Sequence, residues 1–418
     1  MDAAQVQAGP TTRAGGGPPG WVSTARDLYL VAMAVFVVNI TIGILNGADA
    51  VEFDQNQILT HVHAGTVGWL TLTIVASTFL LFRAADRRLM VGLAVLVPIY
   101  VLAFYTGNFA FRAIAGTALL VAVLWLLVWV WRTFLASERT LPRLAVTLGI
   151  TSFAYGAIFG VLIQITRASG VNILPGDAVG AHASAMTFGY LVLTAMGLIE
   201  WRLRGTRNLP TLGVIQIVAL FLGGLVISLS LLAGAAQAGG GIYLLTQLIA
   251  VVLFAVRIWP RALRVDWVAA SPIRHVAIAS IWVVVALALF MYLVFSFITA
   301  PDPSDQSALP VNVLIASDHA AFIGIVTNVM LAMLATLVLR ASVRSSWIGQ
   351  VMFWGVNLGL IVFVIGLILD SAEIKRIGAP VMGVVLLISL AFLALRAWSA
   401  DLSTADAALE PPGEAASA

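Results

Sequence analysis

Apolar runs of about 20 residues recur along nearly the whole chain, and this recurrence limits its fold more than any other feature. A helix of about 20 apolar residues crosses roughly 30 Å of bilayer hydrocarbon. Within hydrocarbon the backbone must pair with itself, which leaves only helices or closed barrels. The runs are continuous rather than alternating and too long for strands, so they read as helices. Twelve are expected, at 27–47, 59–82, 89–107, 113–135, 143–166, 179–201, 211–234, 241–259, 273–299, 311–339, 348–370 and 377–397. With 61% of residues hydrophobic and 10% charged, an ordinary soluble protein is excluded. The fold class is all-α integral membrane. Short connections make 27–397 a single twelve-helix domain, and residues 1–26 and 398–418 read as disordered cytoplasmic tails. No stretch has the form of a cleavable signal peptide.

Orientation follows from the basic residues, because cytoplasmic loops collect Lys and Arg. With the N-terminus inside, eighteen basic residues fall on the cytoplasmic side. Only Arg112, Arg167, Lys375 and Arg376 fall outside, where the acidic loops of Asp49, Glu52, Asp54, Asp302 and Asp305 also land. The expected location is the bacterial cytoplasmic membrane, with both termini cytoplasmic. The net charge of +3 gives no reason to expect nucleic acid as a partner.

The chain has no cysteine, so disulfides and thiolate-held metals are excluded and histidine is left as the cofactor ligand. There are five histidines, and two lie in THVHAGTVGW (60–69) at the outer start of the second span. An imidazole at membrane depth is costly enough to be a functional hypothesis by default. His182 starts the sixth span and His319 lies just inside the outer start of the tenth, so four histidines share one membrane level. His275, beside Arg274 at the inner surface, reads as structural. Each of the four also has a plainer reading, an interfacial side chain bonded to a loop. His61 and His63 are two residues apart and diverge by about 200° on a helix. They cannot both ligate one iron; either one is a ligand and the other lines the site, or they serve opposite sides.

Histidines on spans two, six and ten suggest an internal repeat of four helices. HAGTVGWLTLTIVASTFLLFR (63–83), HASAMTFGYLVLTAMGLIEWRLR (182–204) and HAAFIGIVTNVMLAMLATLVLR (319–340) each begin His-Ala, carry a glycine five to seven residues on and end in arginine. Aligned on His-Ala, they make His63, His182 and His319 equivalent. Gly65, Gly68, Gly189 and Gly324 would let a flat ligand or a neighbouring helix come close to the backbone.

Twelve spans with histidines at the outer ends of helices two, six and ten resemble subunit I of the haem–copper oxidase superfamily, in particular its cbb3-type and nitric-oxide-reductase-like branch. The resemblance covers 27–397 and implies three pseudo-symmetric arcs of four helices. It implies a b-type haem, with His61 matching the second-helix axial ligand and His319 a haem-ligand position on the tenth. His182 sits where a sixth-helix copper ligand would stand. WGVN (354–357) and PVMG (380–383) are also similar to the last two helices of such proteins. The chain departs from the family at the seventh helix, where 212–234 holds no histidine for copper. No carboxylate marks a proton path, since Glu200 and Asp370 sit at helix ends. A copper centre, oxygen reduction and proton pumping are therefore not expected.

The expected cofactor-binding residues are His61, His63 and His319, and the expected metal ligands are His61, His319 and His182; Asp318, adjacent to His319, is one candidate acceptor for its second nitrogen, with backbone carbonyls the commoner kind. The expected function is electron transfer or a response to NO or O2; if the chain is an enzyme, it is an oxidoreductase. Its partners would be the bilayer and a redox protein or respiratory subunit. Two alternatives stay open. One is a haem-free partner of a respiratory complex. The other is a twelve-helix secondary transporter, faintly suggested by RAADRR (83–88), although transporter halves repeat every six helices.

Overall fold

Twelve helices, each long and apolar enough to cross a membrane, make up almost all of a computed structural model that describes residues 18–205, 208–300, 310–339, 347–403 and 409. In chain order they are α1 (Gly20–Gly47), α2 (Gln55–Phe82), α3 (Arg87–Tyr105), α4 (Phe109–Ala136), α5 (Leu141–Ser169) and α6 (Ala178–Arg204). They continue as α7 (Thr211–Leu232), α8 (Ala236–Ala262), α9 (Ile273–Ile298), α10 (Val311–Val338), α11 (Trp347–Ile368) and α12 (Ala372–Ser399). Polar residues set their starts. Asp54 and Gln57 close a capping box at α2, while Asp86, Asn108, Asp177 and Ser371 cap α3, α4, α6 and α12 with their side chains.

The spans sit where the apolar runs lie, but several start earlier than expected, α2 and α4 by four residues, α8 and α12 by five and α1 by seven, and α12 also takes in Trp398 and Ser399 of the expected C-terminal tail. Residues 20–26, expected in a disordered tail, form the first turns of α1 and bury Val22, Thr24 and Ala25. The polar Thr24 hides in such a turn because its hydroxyl donates to the Gly20 carbonyl at 2.7 Å. Of the charges that set the orientation, Arg13, Arg207, Asp302, Asp305, Arg340 and Arg344 lie outside the described residues.

Burial separates an inner trio from an outer nine. In their most apolar stretches α2, α6 and α10 are 89%, 78% and 94% buried, against 56% or less elsewhere. The others surround this trio, with α12 on α1, α4 on α5 and α8 on α9 closing the ring between successive groups of four.

Each inner helix widens to π-helix at one place: Ala64–Thr71 in α2, Ala185–Val192 in α6 and Ala320–Thr327 in α10. The wider turn frees carbonyls, and hydroxyls five residues on take two of them. Thr71 donates to Thr66 O at 2.9 Å and Thr327 to Phe322 O at 2.8 Å. Such insertions concentrate at functional sites. Here they also fix the repeat. Gly68, Gly189 and Gly324 each stand fifth in their π segment, and a Cβ there would press on Val35 of α1, Ser152 of α5 and Trp282 of α9 respectively.

Candidate functional site

This register changes which histidines correspond. His61 and His182 each stand three residues before a π segment, whereas His63 and His319 stand one before. The His-Ala alignment of 63, 182 and 319 is therefore corrected: His182 is the counterpart of His61, and His319 of His63. Apolar helices slide past one another in a sequence comparison with little penalty, and the backbone insertion that sets the phase has no residue signature.

The hydrogen bonds follow the same division. His61 Nδ1 lies 2.9 Å from the carbonyl of Asn39 on α1, and His182 Nδ1 lies 2.7 Å from that of Gly156 on α5. Asn39 is four residues after Val35, and Gly156 four after Ser152, so these carbonyls are equivalent. His63 and His319 instead bond within their own helices, to Leu59 O at 2.7 Å and Ile315 O at 2.9 Å. A carbonyl can only accept, so each Nδ1 carries the proton and each Nε2 keeps its lone pair; the Asn39 side-chain amide, also 3.1 Å from His61 Nδ1, donates to the His61 carbonyl instead. None of the four Nε2 atoms has a hydrogen-bond partner among the described residues.

Gly43 and Gly160, four residues further along α1 and α5, lie under the first pair of rings. A Cβ on Gly43 would come within 2.9 Å of His61 Cε1, and one on Gly160 within 2.8 Å of His182 Cε1. A side chain at either position would force the imidazole beside it to shift.

All four histidines line one cavity of about 620 Å³, a volume in the range of cofactor sites. Its walls fall into two lobes. One is built from α1, α2, α10, α11 and α12 and holds His61 and His319, with Phe363 edge-on to His319 at 4.9 Å. The other is built from α2 to α6 and holds His63 and His182, with Phe104 stacked on His63 at 3.7 Å. Members of each pair are near enough to interact electrostatically. His61 and His63 thus serve opposite sides of α2.

Cations stand at the same end of the bundle. Lys375 lines the first lobe and Arg167 the second. Arg376 beside the first lobe pairs with Asp49 at 2.8 Å, and Arg112 beside the second donates to Asn56 Oδ1 and Phe104 O, both at 2.7 Å. These are the four basic residues that break the charge bias in the sequence.

Asp318 lines the cavity, but His319 donates from Nδ1 to the Ile315 carbonyl, so a backbone carbonyl takes the place suggested for Asp318. His275 is buried away from the cavity, its Nδ1 2.8 Å from Asn328 Oδ1 in a network with Asn357 and Trp282. Among the described residues, no three His, Asp or Glu side chains gather to hold a metal ion.

No protein-family model matches the chain, and no curated protein sequence matches it. The site therefore stands on its own geometry. Sequence reasoning missed Asn39, Gly43, Gly156 and Gly160. The Gly-x-x-x-Gly spacing of 156 and 160 was a visible signal, one that ordinary helix packing also produces.

Proposed function

We propose that this is a haem-binding membrane protein on a haem–copper-oxidase-like scaffold, with His61 and His319 as the axial ligands of a b-type haem and electron transfer as its role. The observation that carries the reading is the convergence of these two imidazoles, from different helices, on one largely apolar cavity with both Nδ1 protons already committed to carbonyls. Such a carbonyl fixes the tautomer and the ring orientation and makes Nε2 a better ligand. The Phe363 wall and Lys375 at the rim suit a flat apolar ring with carboxylates at one edge, and Gly43 leaves the His61 imidazole its place beside that ring.

A bound haem supplies one-electron chemistry. The chain's own residues hold the ligand rings, exclude water and supply a low-dielectric wall, the levers that set a haem's potential. A haem held by both imidazoles would have no free position for NO or O2, which favours electron transfer over their capture. A repeat of four helices supports the oxidase-like scaffold over a transporter. The 212–234 run has no histidine, so the reading carries no copper centre. By the charge bias, the histidine end faces outward across the bacterial cytoplasmic membrane, and a redox protein or respiratory subunit is the partner.

The test is an absorption spectrum of the full chain purified from a haem-replete host. A reduced-minus-oxidised Soret and α-band is expected, with the same component lost from His61→Ala and from His319→Ala. A colourless protein sinks the proposal.

A further inference from the structure

We infer that the second lobe is a second haem site of the same construction, with His63 and His182 as its axial ligands. This rests on the haem reading above and extends it from one site to two.

The argument is one of register. The first pair takes a cross-anchored histidine from α2 (His61, on Asn39 O) and a self-anchored one from α10 (His319, on Ile315 O). The second takes its cross-anchored histidine from α6 (His182, on Gly156 O) and its self-anchored one from α2 (His63, on Leu59 O). Moving each member one group of four helices around the ring converts one pair into the other. The surroundings follow: Gly160 stands in place of Gly43, and the Tyr100 and Phe104 wall of α3 in place of Phe363 on α11. A cation also lines each rim, Lys375 from α12 at the first and Arg167 from α5 at the second, although the rotation does not exchange these two helices. Arg167 has no ion-pair partner among the described residues and lies in the field of Arg112, so this rim suits an anionic edge such as a haem carboxylate. Gln164, one turn along α5 from Gly160, is buried against the same lobe with its side-chain oxygen unpartnered.

The third position in the ring supplies the contrast. There the counterparts of the two histidines are Ser317 on α10 and Ser184 on α6. Ser317 donates to Ala286 O at 3.2 Å, the carbonyl equivalent to those of Asn39 and Gly156. Four residues on, where the other two groups have glycine, α9 has Phe290. Its ring meets Phe188 at 4.1 Å and Tyr243 at 5.6 Å. Where both ligands are missing, aromatic side chains fill the place of the ligand. Where both are present, glycine leaves the imidazole room. Histidines that merely packed would not require these three features to change together.

The test counts haem per chain by pyridine haemochrome, with the full-length protein from a haem-replete host, and follows a redox titration. Two haems per chain are expected, falling to one in His63→Ala and in His182→Ala, and separately to one in His61→Ala. The titration should need two components in the parent protein and one in each variant. His182→Met guards against variants that fail to accumulate, because a thioether can still ligate: two haems are expected, one with a changed spectrum and potential. One haem per chain, with spectrum and count unchanged in His63→Ala, His182→Ala and His182→Met, would overturn the second site and leave the first. No haem in any preparation overturns both.

Discussion

At the scale of single residues, the absence of a side chain at Gly43 matters as much as the imidazole above it. His61 is tied at Nδ1 and its Cε1 rests where a Cβ would be, so a larger residue must move the ring or the helix. Gly43→Val is expected to cost about 1–3 kcal/mol of stability through overpacking and to abolish the haem binding proposed for His61 and His319 although both histidines remain. Gly92→Ala is the control. A Cβ there meets nothing within 4 Å, and a melting curve in detergent should match or slightly exceed that of the parent, since alanine favours a helix interior over glycine. The same two residue types show what a sequence discloses. A histidine in a hydrocarbon span announces itself by its cost. A glycine does not, since thirty-six are spread along this chain and most serve helix packing or turns. Only the distance to His61 or His182 separates Gly43 and Gly160 from the rest.

Among elements, α6 has demands at both ends. One end carries His182. The other buries Glu200, whose carboxylate meets Arg257 of α8 at 2.7 Å and Arg204 at 3.5 Å, while Arg257 also donates to Gln216 of α7 at 2.7 Å. Removing one partner of a buried pair leaves a charge in an apolar setting, so Arg257→Met should lower stability by about 3–5 kcal/mol in detergent unfolding, and Glu200→Leu with Arg257→Met should recover part of that. The loop from α8 to α9 is exposed and titrates. Asp266 accepts from the backbone N–H groups of Val268 and Ala269, at 2.9 and 3.0 Å, and these bonds hold its carboxyl below the usual carboxylate range. Its contribution to loop order is present above the ordinary pKa of about 4 and is lost as pH falls through the depressed value. Backbone hydrogen exchange at 268–269 should rise with acidification in the parent and be pH-insensitive, beyond the intrinsic rate, in Asp266→Asn. The helices themselves were legible because hydrocarbon thickness dictates their length. Their phase was not, because the π insertions in α2, α6 and α10 arise from packing between helices and leave the apolar pattern intact. That is why His182 aligns with His63 by residue type but with His61 in space.

Across the whole molecule, three groups of four helices surround three equivalent positions, of which two are open and one is filled. Phe290→Ala should cost about 2–3 kcal/mol, at or below the lower end for a core phenylalanine because Phe290 is only part-buried, and should add no haem, since Ser184 and Ser317 offer no ligand. Detergent unfolding and the haem count check the two halves of that expectation. The threefold plan was visible in the sequence as histidines on every fourth helix. The filled position was not, because a phenylalanine and two serines in apolar helices look like ordinary membrane residues. The spacing of His61 and His63 has a mechanical consequence. These residues project from opposite faces of one helix into separate lobes, so α2 acts as a common axle. A small screw of that helix would displace both imidazoles together, so a change at one histidine would reach the other through the backbone of α2.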